Sequence, residues 1–302
     1  MEYHQPVMLR ECIEGLEIKP DGIYVDLTFG GGGHSRSILQ GLENGKLFAF
    51  DQDVDAKQNA EAIENPCFTF IQANFRYLKR YLKLHGISKV DGVLADLGVS
   101  SHQFDVAERG FSTRFDAELD MRMDQDSELT AKKVINEYSE ADLHRIFGMY
   151  GEVKNARSLA SAIVTARINR QINTINDLKE ILSRFVKRGK ENKYYAQVFQ
   201  ALRIEVNQEM IVLEEALQQC ADVIRPGGKL VVMSYHSLED RMVKQFVQKG
   251  KFFGEVEKDF YGNELKPFQA KNKKPIVASQ EEVAINNRAR SAKLRIAERT
   301  DI

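Results

Sequence analysis

YVDLTFGGGGH, Tyr24–His34, decides how this chain folds. An apolar run closes on an acid, four glycines follow, and apolar character resumes at Ile38. That order predicts a strand, a tight turn and a helix start, with backbone left bare for a ligand. A second strand-like run, Lys46–Phe50, ends at Asp51, about twenty residues beyond the glycines. An acid at that distance suits both hydroxyls of a ribose. A glycine turn alone is weak evidence; turn and acid together point to a nucleoside-bearing cofactor.

The pattern G-x-G-x-x-G fails here, because its third glycine slot falls on Ser35 or Arg36. A nicotinamide dehydrogenase is therefore disfavoured. No Lys-Ser or Lys-Thr follows the glycines, so a phosphate loop is absent as well. Asp26, just before the glycines, suits a cofactor with a cationic amino-acid end. S-adenosylmethionine has such an end, and the sequence leans towards a methyltransferase.

Outward from this core, strand signals at Ile23–Leu27, Lys46–Phe50, Thr69–Ala73 and Gly92–Leu97 alternate with helix-like segments. This predicts a Rossmann-like, doubly wound α/β sheet, with ligands beyond the carboxyl ends of its strands. Asp26, Asp51, Asn74 and Asp96 fall there. From about Phe104 the pattern turns to charged loop and then to helical periodicity, at Ala131–Val134, Glu140–Tyr150, Asn155–Asn169 and Ile175–Phe185. One long helix is expected over Tyr194–Val223, before the turn Arg225–Gly228 and a strand at Lys229–Ser234. The expected organisation is a discontinuous catalytic domain, 1–104 and 206–302, with a helical insertion at 105–205. The tail reads as hairpin-like, with Lys-Lys-Pro275 and Ala289–Ala297 as candidate edge segments.

At 302 residues and 43% hydrophobic content, the chain holds one large core or two modest ones. No apolar run is long enough to span a membrane and no signal-peptide centre is evident, so a soluble cytoplasmic protein without a membrane partner is expected. Cys12, Cys67 and Cys220 are scattered, without metal-ligand spacing, and read as buried thiols; no metal is expected. The net charge of −1 conceals segregation. Residues 1–150 carry 16 basic and 25 acidic side chains, whereas 151–203 carry 11 and 4 and 241–302 carry 14 and 8. Two basic segments beside an acidic cofactor region suit a nucleic-acid partner better than a set of solvated faces.

Further motifs run the length of the chain: HQPVML (His4–Leu9), DLTFGGGGHS (Asp26–Ser35), DLGVSSHQ (Asp96–Gln103), ERGFS (Glu108–Ser112), LDMRMD (Leu119–Asp124), FQALRIEVNQE (Phe199–Glu209), YHSLEDR (Tyr235–Arg241) and RARSAKLRIAER (Arg288–Arg299). In this order they resemble the bacterial RsmH family, also called MraW, which methylates N4 of a cytidine in the decoding region of small-subunit (16S) rRNA. The resemblance implies a class I S-adenosylmethionine-dependent methyltransferase fold with a helical insertion as RNA-recognition domain. It implies 16S rRNA, within the small ribosomal subunit, as partner, and leaves a homo-oligomer open. Its cofactor contacts would fall on Gly32, Gly33, His34, Asp51, Phe75, Asp96 and Gln103. Departures at Leu27, Gly31, His102 and Asn287 affect loops more than chemistry.

A cytosine amino group is a poor nucleophile, because its lone pair is delocalised into the ring. Amino-methyltransferases commonly place an acid or amide after the fourth strand to accept the amino hydrogens. Asp96 holds that place, although Leu97-Gly98-Val99 replaces the usual prolines and aromatic. It stands for the cofactor, the amino group, or both. Tyr235 and His236, after the fifth strand, are candidates to stack on or hydrogen-bond the base, or else a packing pair. Arg109, Phe111 and Arg122 are expected on a loop covering the site. Arg167 and Arg170, with Arg157, Lys187, Arg188 and Lys190, are expected on RNA phosphates.

Overall fold

The computed structural model describes residues 6–186 and 189–302. His4 and Gln5 of the first motif, and Lys187 and Arg188 of the basic segment, lie outside the described residues. The chain forms two units, Met1–Gly98 with Met210–Ile302, and Val99–Glu209. The sequence reading placed these divisions near 105 and 205.

The first unit opens with α1 (Leu9–Leu16), β1 (Ile23–Asp26), α2 (Gly33–Gln40), β2 (Lys46–Asp51), α3 (Val54–Glu61), β3 (Phe68–Gln72), α4 (Leu78–Leu84) and β4 (Val90–Asp96). All four expected strands form, within a residue or two of their expected bounds. The second unit carries α5 (Ser101–Asp105), α6 (Ala131–Glu137), α7 (Glu140–Met149), α8 (Ala156–Asn169), α9 (Ile175–Ser183) and α10 (Glu191–Asn207). The chain then returns through α11 (Glu209–Val223), β5 (Ile224–Ser234), α12 (Ser237–Lys249), β6 (Phe268–Ala270), α13 (Gln280–Ile285) and β7 (Lys293–Arg299).

The strands make one sheet of order β3-β2-β1-β4-β5-β7-β6. The first five are mutually parallel, and β7 runs antiparallel between β5 and β6. This is the class I methyltransferase sheet, with its order reversal between β1 and β4, where open α/β sheets place their ligands. Alternate residues of the central strands feed opposite faces. Val93 and Ala95 join Leu78 and Leu82 of α4, Leu213 and Leu217 of α11, and Phe246 of α12 in one core. Leu94 joins Cys12 and Leu16 of α1 and Ile38 of α2 in the other. Burying both faces explains why these strands read as continuous apolar runs.

Three expectations need correction. The helix expected over Tyr194–Val223 is two helices, because Gln208 is left-handed (φ 51°) and its N–H caps Glu205 and Ile204 carbonyls. The segment Ala289–Ala297 is no edge: β7 pairs on both sides, and the true edge is the three-residue β6. Lys-Lys-Pro275 lies outside any strand.

The second unit packs its own core from Ile146 and Phe147 (α7), Leu159 and Ile163 (α8), Leu178 and Leu182 (α9), and Val198 and Leu202 (α10). Several of its helices start on side-chain caps. Thr130, Ser139 and Thr174 each accept a backbone N–H from the first turn that follows them. Among the described residues no helix is long and apolar enough to cross a membrane.

Candidate functional site

In the first unit, three acids end adjacent or near-adjacent strands: Asp26 on β1, Asp51 on β2 and Asp96 on β4. Each does something different. Asp26 is fully buried and turned inward, accepting the Thr28 N–H (3.0 Å) and the Ser35 hydroxyl (2.7 Å). Burial pushes its pKa up, against the nearby His34 and these hydrogen bonds. It is a strut that ties the end of β1 to the start of α2 and so shapes the glycine turn.

Asp51 accepts the Gly30 N–H at 2.8 Å on one oxygen and the Asp53 N–H at 2.9 Å on the other. Asn59 of α3 holds the same turn from beyond, donating to the Gly30 carbonyl at 3.2 Å. Burial raises the Asp51 carboxyl to about 6, against those two backbone bonds. A carboxylate has about four lone-pair directions, so two remain for a ligand.

The glycines divide by task. Gly30 and Gly32 have positive φ (50° and 75°), a conformation that side chains rarely tolerate. A Cβ on Gly32 would meet the Phe29 ring at 2.7 Å, and one on Gly33 would meet Pro6 at 2.2 Å. These two glycines are demanded by the protein's own packing. Gly31 faces open space, with nothing within 4 Å of a Cβ built on it.

Asp96 anchors a small polar network. Its N–H donates to Thr28 Oγ1 (2.7 Å), and its Oδ1 accepts the Tyr235 hydroxyl (2.8 Å). Its Oδ2 is 3.8 Å from His34 Nδ1, beyond hydrogen-bond reach. No donor among the described residues is bonded to Oδ2. Burial raises Asp96 to about 6; His34 and the Tyr235 bond pull it down, and Asp26 and Glu239 push it up. Tyr235 in turn is pushed well above its ordinary value by burial and by the Asp96 carboxylate. Gly98, at φ 98°, carries the chain past the Tyr235 ring.

His34 is buried, with Nε2 3.2 Å from the Val7 carbonyl. Its Nδ1 faces the Asp96 carboxylate rather than open space. His236 caps α12: its ring accepts the Glu239 N–H, while Glu239 accepts the N–H groups of Tyr235 and His236. That is a capping box, and it orients Tyr235. Phe75 sits half-buried against the first unit's core, just after Asn74, which is held by Gln52 at 2.7 Å.

In the second unit most of the expected residues are engaged within that unit. Gln103 makes a capping box with Ser100 at the start of α5. Arg109 is buried and donates to the Arg122 and Met123 carbonyls, and Phe111 is core. Arg122 grips Asp120 through two bonds of 2.8 Å and the Gln125 and Ser127 carbonyls. Together they rigidify the 109–127 loop. Arg167 donates to the Ile135 and Tyr138 carbonyls (2.6 and 2.7 Å), closing the C-terminal end of α6. Arg170 is exposed and pairs with Asp177 at 2.7 Å. Thr28 and Asn59 had no signal in the sequence: each acts on a partner brought near only by the fold.

The MraW methylase family model matches residues 1–300. The ribosomal RNA small subunit methyltransferase H of Cytophaga hutchinsonii is 61% identical over 297 residues, covering 98% of this chain and 99% of that one. The protein of the same name from Flavobacterium johnsoniae is 61% identical over 300 residues, 99% of this chain and 98% of its own. A solved rRNA methylase from Streptococcus thermophilus overlays at a TM-score of 0.42 with 13% identity, across 100% of this chain and 99% of that one, a likeness too loose to transfer anything. The chain belongs to the MraW methylase family.

Proposed function

We propose that this member of the MraW methylase family transfers the methyl group of S-adenosylmethionine to N4 of a specific cytidine in the decoding region of small-subunit (16S) rRNA. Its relatives' shared name supports the rRNA class. The observation that carries the chemistry is Asp96: one carboxylate oxygen is taken by Tyr235, and the other carries no bonded donor among the described residues.

The residues present fit the cofactor. Gly31 leaves open backbone beside the turn, and Asp51 has two unused acceptor directions for ribose hydroxyls. When bound, S-adenosylmethionine supplies a methyl group already activated on its sulfonium. Phe75 offers an apolar face to the adenine. The target base is splayed from its stack, because an amino group inside a helix is out of reach. Asp96 Oδ2 then accepts an amino hydrogen, which localises the nitrogen lone pair towards the methyl group. Its raised pKa strengthens it as acceptor for the proton that the nitrogen, tetrahedral and positively charged once methylated, loses on returning to the ring plane. Tyr235, positioned by the α12 cap, holds the carboxylate in place. Alignment of this kind is worth an effective molarity of ~10⁵–10⁸ M. The insertion, Val99–Glu209, and the C-terminal segment receive the RNA, within the small subunit and in the cytoplasm.

The test uses small subunits from cells lacking this protein, labelled S-adenosylmethionine, and mapping of the labelled nucleotide. Label on a cytidine N4 is expected. Asp96→Asn should lower kcat far more than cofactor affinity. No transfer to rRNA, with cofactor binding intact, would leave an assembly factor as the better description.

A further inference from the structure

The C-terminal segment of the first unit holds two features that the fold does not use. One is a cleft of about 390 Å³ between α12 and the sheet edge at β6, lined by Lys244, Gln248, Lys266, Gln269, Lys273 and Arg295 among others. No acidic side chain lines it. Arg295 is shared with Asp240 and Lys266 with Glu264, while Lys244 and Lys273 have no ion pair among the described residues.

The other feature is a hairpin that runs directly into this cleft. Lys258 bridges Glu264, and the Leu265 N–H donates to the Glu257 carbonyl at 2.7 Å, one residue before Lys266. The tip is built rather than slack. The Asp259 carboxylate accepts the Tyr261 N–H and both the N–H and side-chain amide of Asn263 (2.8–2.9 Å), and Gly262 turns at φ 87°. These bonds hold the Asp259 carboxyl below its ordinary value. The rigid turn presents Phe260 and Tyr261 at 98% and 86% exposure, edge to face at 5.7 Å. Nothing in the fold covers them. Two aromatics held in water on a braced turn are costly without a partner.

We infer that the cleft and the hairpin tip together bind single-stranded RNA of the substrate, with phosphates in the cleft and an unpaired base stacked on Phe260 or Tyr261. This inference rests on the proposed reading of the chain as an rRNA methyltransferase. Cations that track a backbone, interleaved with aromatics that take any base, are how single strands are held. The charge balance favours this occupant: residues 244–274 carry eight basic and four acidic side chains. A second copy of the chain fits less well. Two rings per copy supply at most ~500 Å² on each partner, short of the ~800 Å² per partner that a standard interface buries.

The test is anisotropy of a fluorescein-labelled, unstructured twelve-nucleotide RNA titrated with the full chain over a range of KCl. Phe260→Ala with Tyr261→Ala should weaken binding about fivefold or more without changing the salt slope. Lys244→Gln with Lys273→Gln should lower the log–log slope by about 1.4, at about 0.7 per phosphate contact. Both pairs are surface changes, and unaltered S-adenosylmethionine affinity reports that the fold is intact. Wild-type RNA affinity in the aromatic variant overturns the inference. So does a wild-type dimer that becomes a monomer on the same substitution, since the tip would then seat a second copy. Methyl transfer to small subunits is measured in parallel. If transfer is absent while the variants lose RNA as expected, the proposed function falls and this surface stands; intact transfer with unaltered RNA binding removes the surface alone.

Discussion

Asp51→Ala tests the cofactor site most directly, and its size follows from the geometry. Each Asp51 oxygen already accepts one backbone N–H, from Gly30 and from Asp53, so one free direction remains on each for a ribose hydroxyl. A hydrogen bond to a charged group contributes about 1.5–3 kcal/mol. Water solvates the half-buried carboxylate in the free protein, so the low end applies to both. Two such bonds total about 3 kcal/mol, or about a hundredfold in Kd at 1.4 kcal/mol per decade. Alanine also frees the Gly30 and Asp53 N–H groups and loosens the turn, which weakens binding for a reason unrelated to ribose. A ligand-side change separates the two effects. The wild type should discriminate against a 2′-deoxyribose analogue of S-adenosylhomocysteine, and the alanine variant should not. Isothermal titration calorimetry gives all four affinities. Equal discrimination in both proteins would refute the ribose assignment, whatever the absolute loss.

The same residue sets a pH signature. The Asp51 carboxyl is raised to about 6 by burial, and only its ionised form accepts two hydroxyls. Cofactor affinity should therefore be constant above pH 7 and fall as pH drops through about 6, and the fall should be shallower in the alanine variant. The raised pKa has the opposite sign for folding. A buried acid with raised pKa costs stability once pH exceeds its unfolded value, and the cost is complete above its folded value. Asp51→Ala removes that cost near neutrality, so weakened binding is not expected to come with gross unfolding.

Tyr235→Phe removes the hydroxyl that donates to Asp96 and holds its pKa down, so the acid limb of the kcat/KM profile should move to higher pH. An unmoved limb would mean that Asp96 does not set that limb. Arg167→Ala should lower the urea stability of the insertion by about 2–4 kcal/mol, since two carbonyls at the end of α6 lose a charged donor. It should leave the salt slope of RNA binding unchanged; a reduced slope would return Arg167 to the phosphates.

The part of the fold built on local rules was legible in the sequence. Strands buried on both faces read as apolar runs, and the turn at Gly30–Gly33 announced itself because two of its residues need positive φ. The break at Gln208 was not legible, because no glycine or proline marks it and the left-handed residue is held by carbonyls one turn back. Nor was the interior place of β7. Its charged residues suggest an edge, but Arg295 is paired with Asp240 and Glu298 with Lys229, and those partners lie 55 and 69 residues away. The site divides in the same way. Asp51 and Asp96 stood out as acids at strand ends. The bond that makes Asp96 a one-sided acceptor comes from Tyr235, 139 residues later, and no spacing rule reaches that far.

Charge is where composition was most easily misread, and the structure changes its meaning. The sequence shows two basic segments of similar strength, and nothing local separates a clamp from a cation left for a ligand. Within the insertion, Arg167 closes a helix on two carbonyls, Arg170 pairs with Asp177, and Arg203 pairs with Glu209 at 2.7 Å. A guanidinium held by the fold has little left to release counterions from a polyanion. In the C-terminal segment, Lys244 and Lys273 line a cleft without acids, beside two exposed rings on a braced turn. On the proposed function, the weight of RNA recognition moves from Arg167, Arg170 and Arg203 towards the lysines and aromatics of residues 244–274, with Arg157 and Arg184 the insertion's cations that line a cleft without an ion pair among the described residues. Neutralising Lys244 and Lys273 should therefore change the salt dependence of RNA binding more than neutralising Arg167 and Arg170 does.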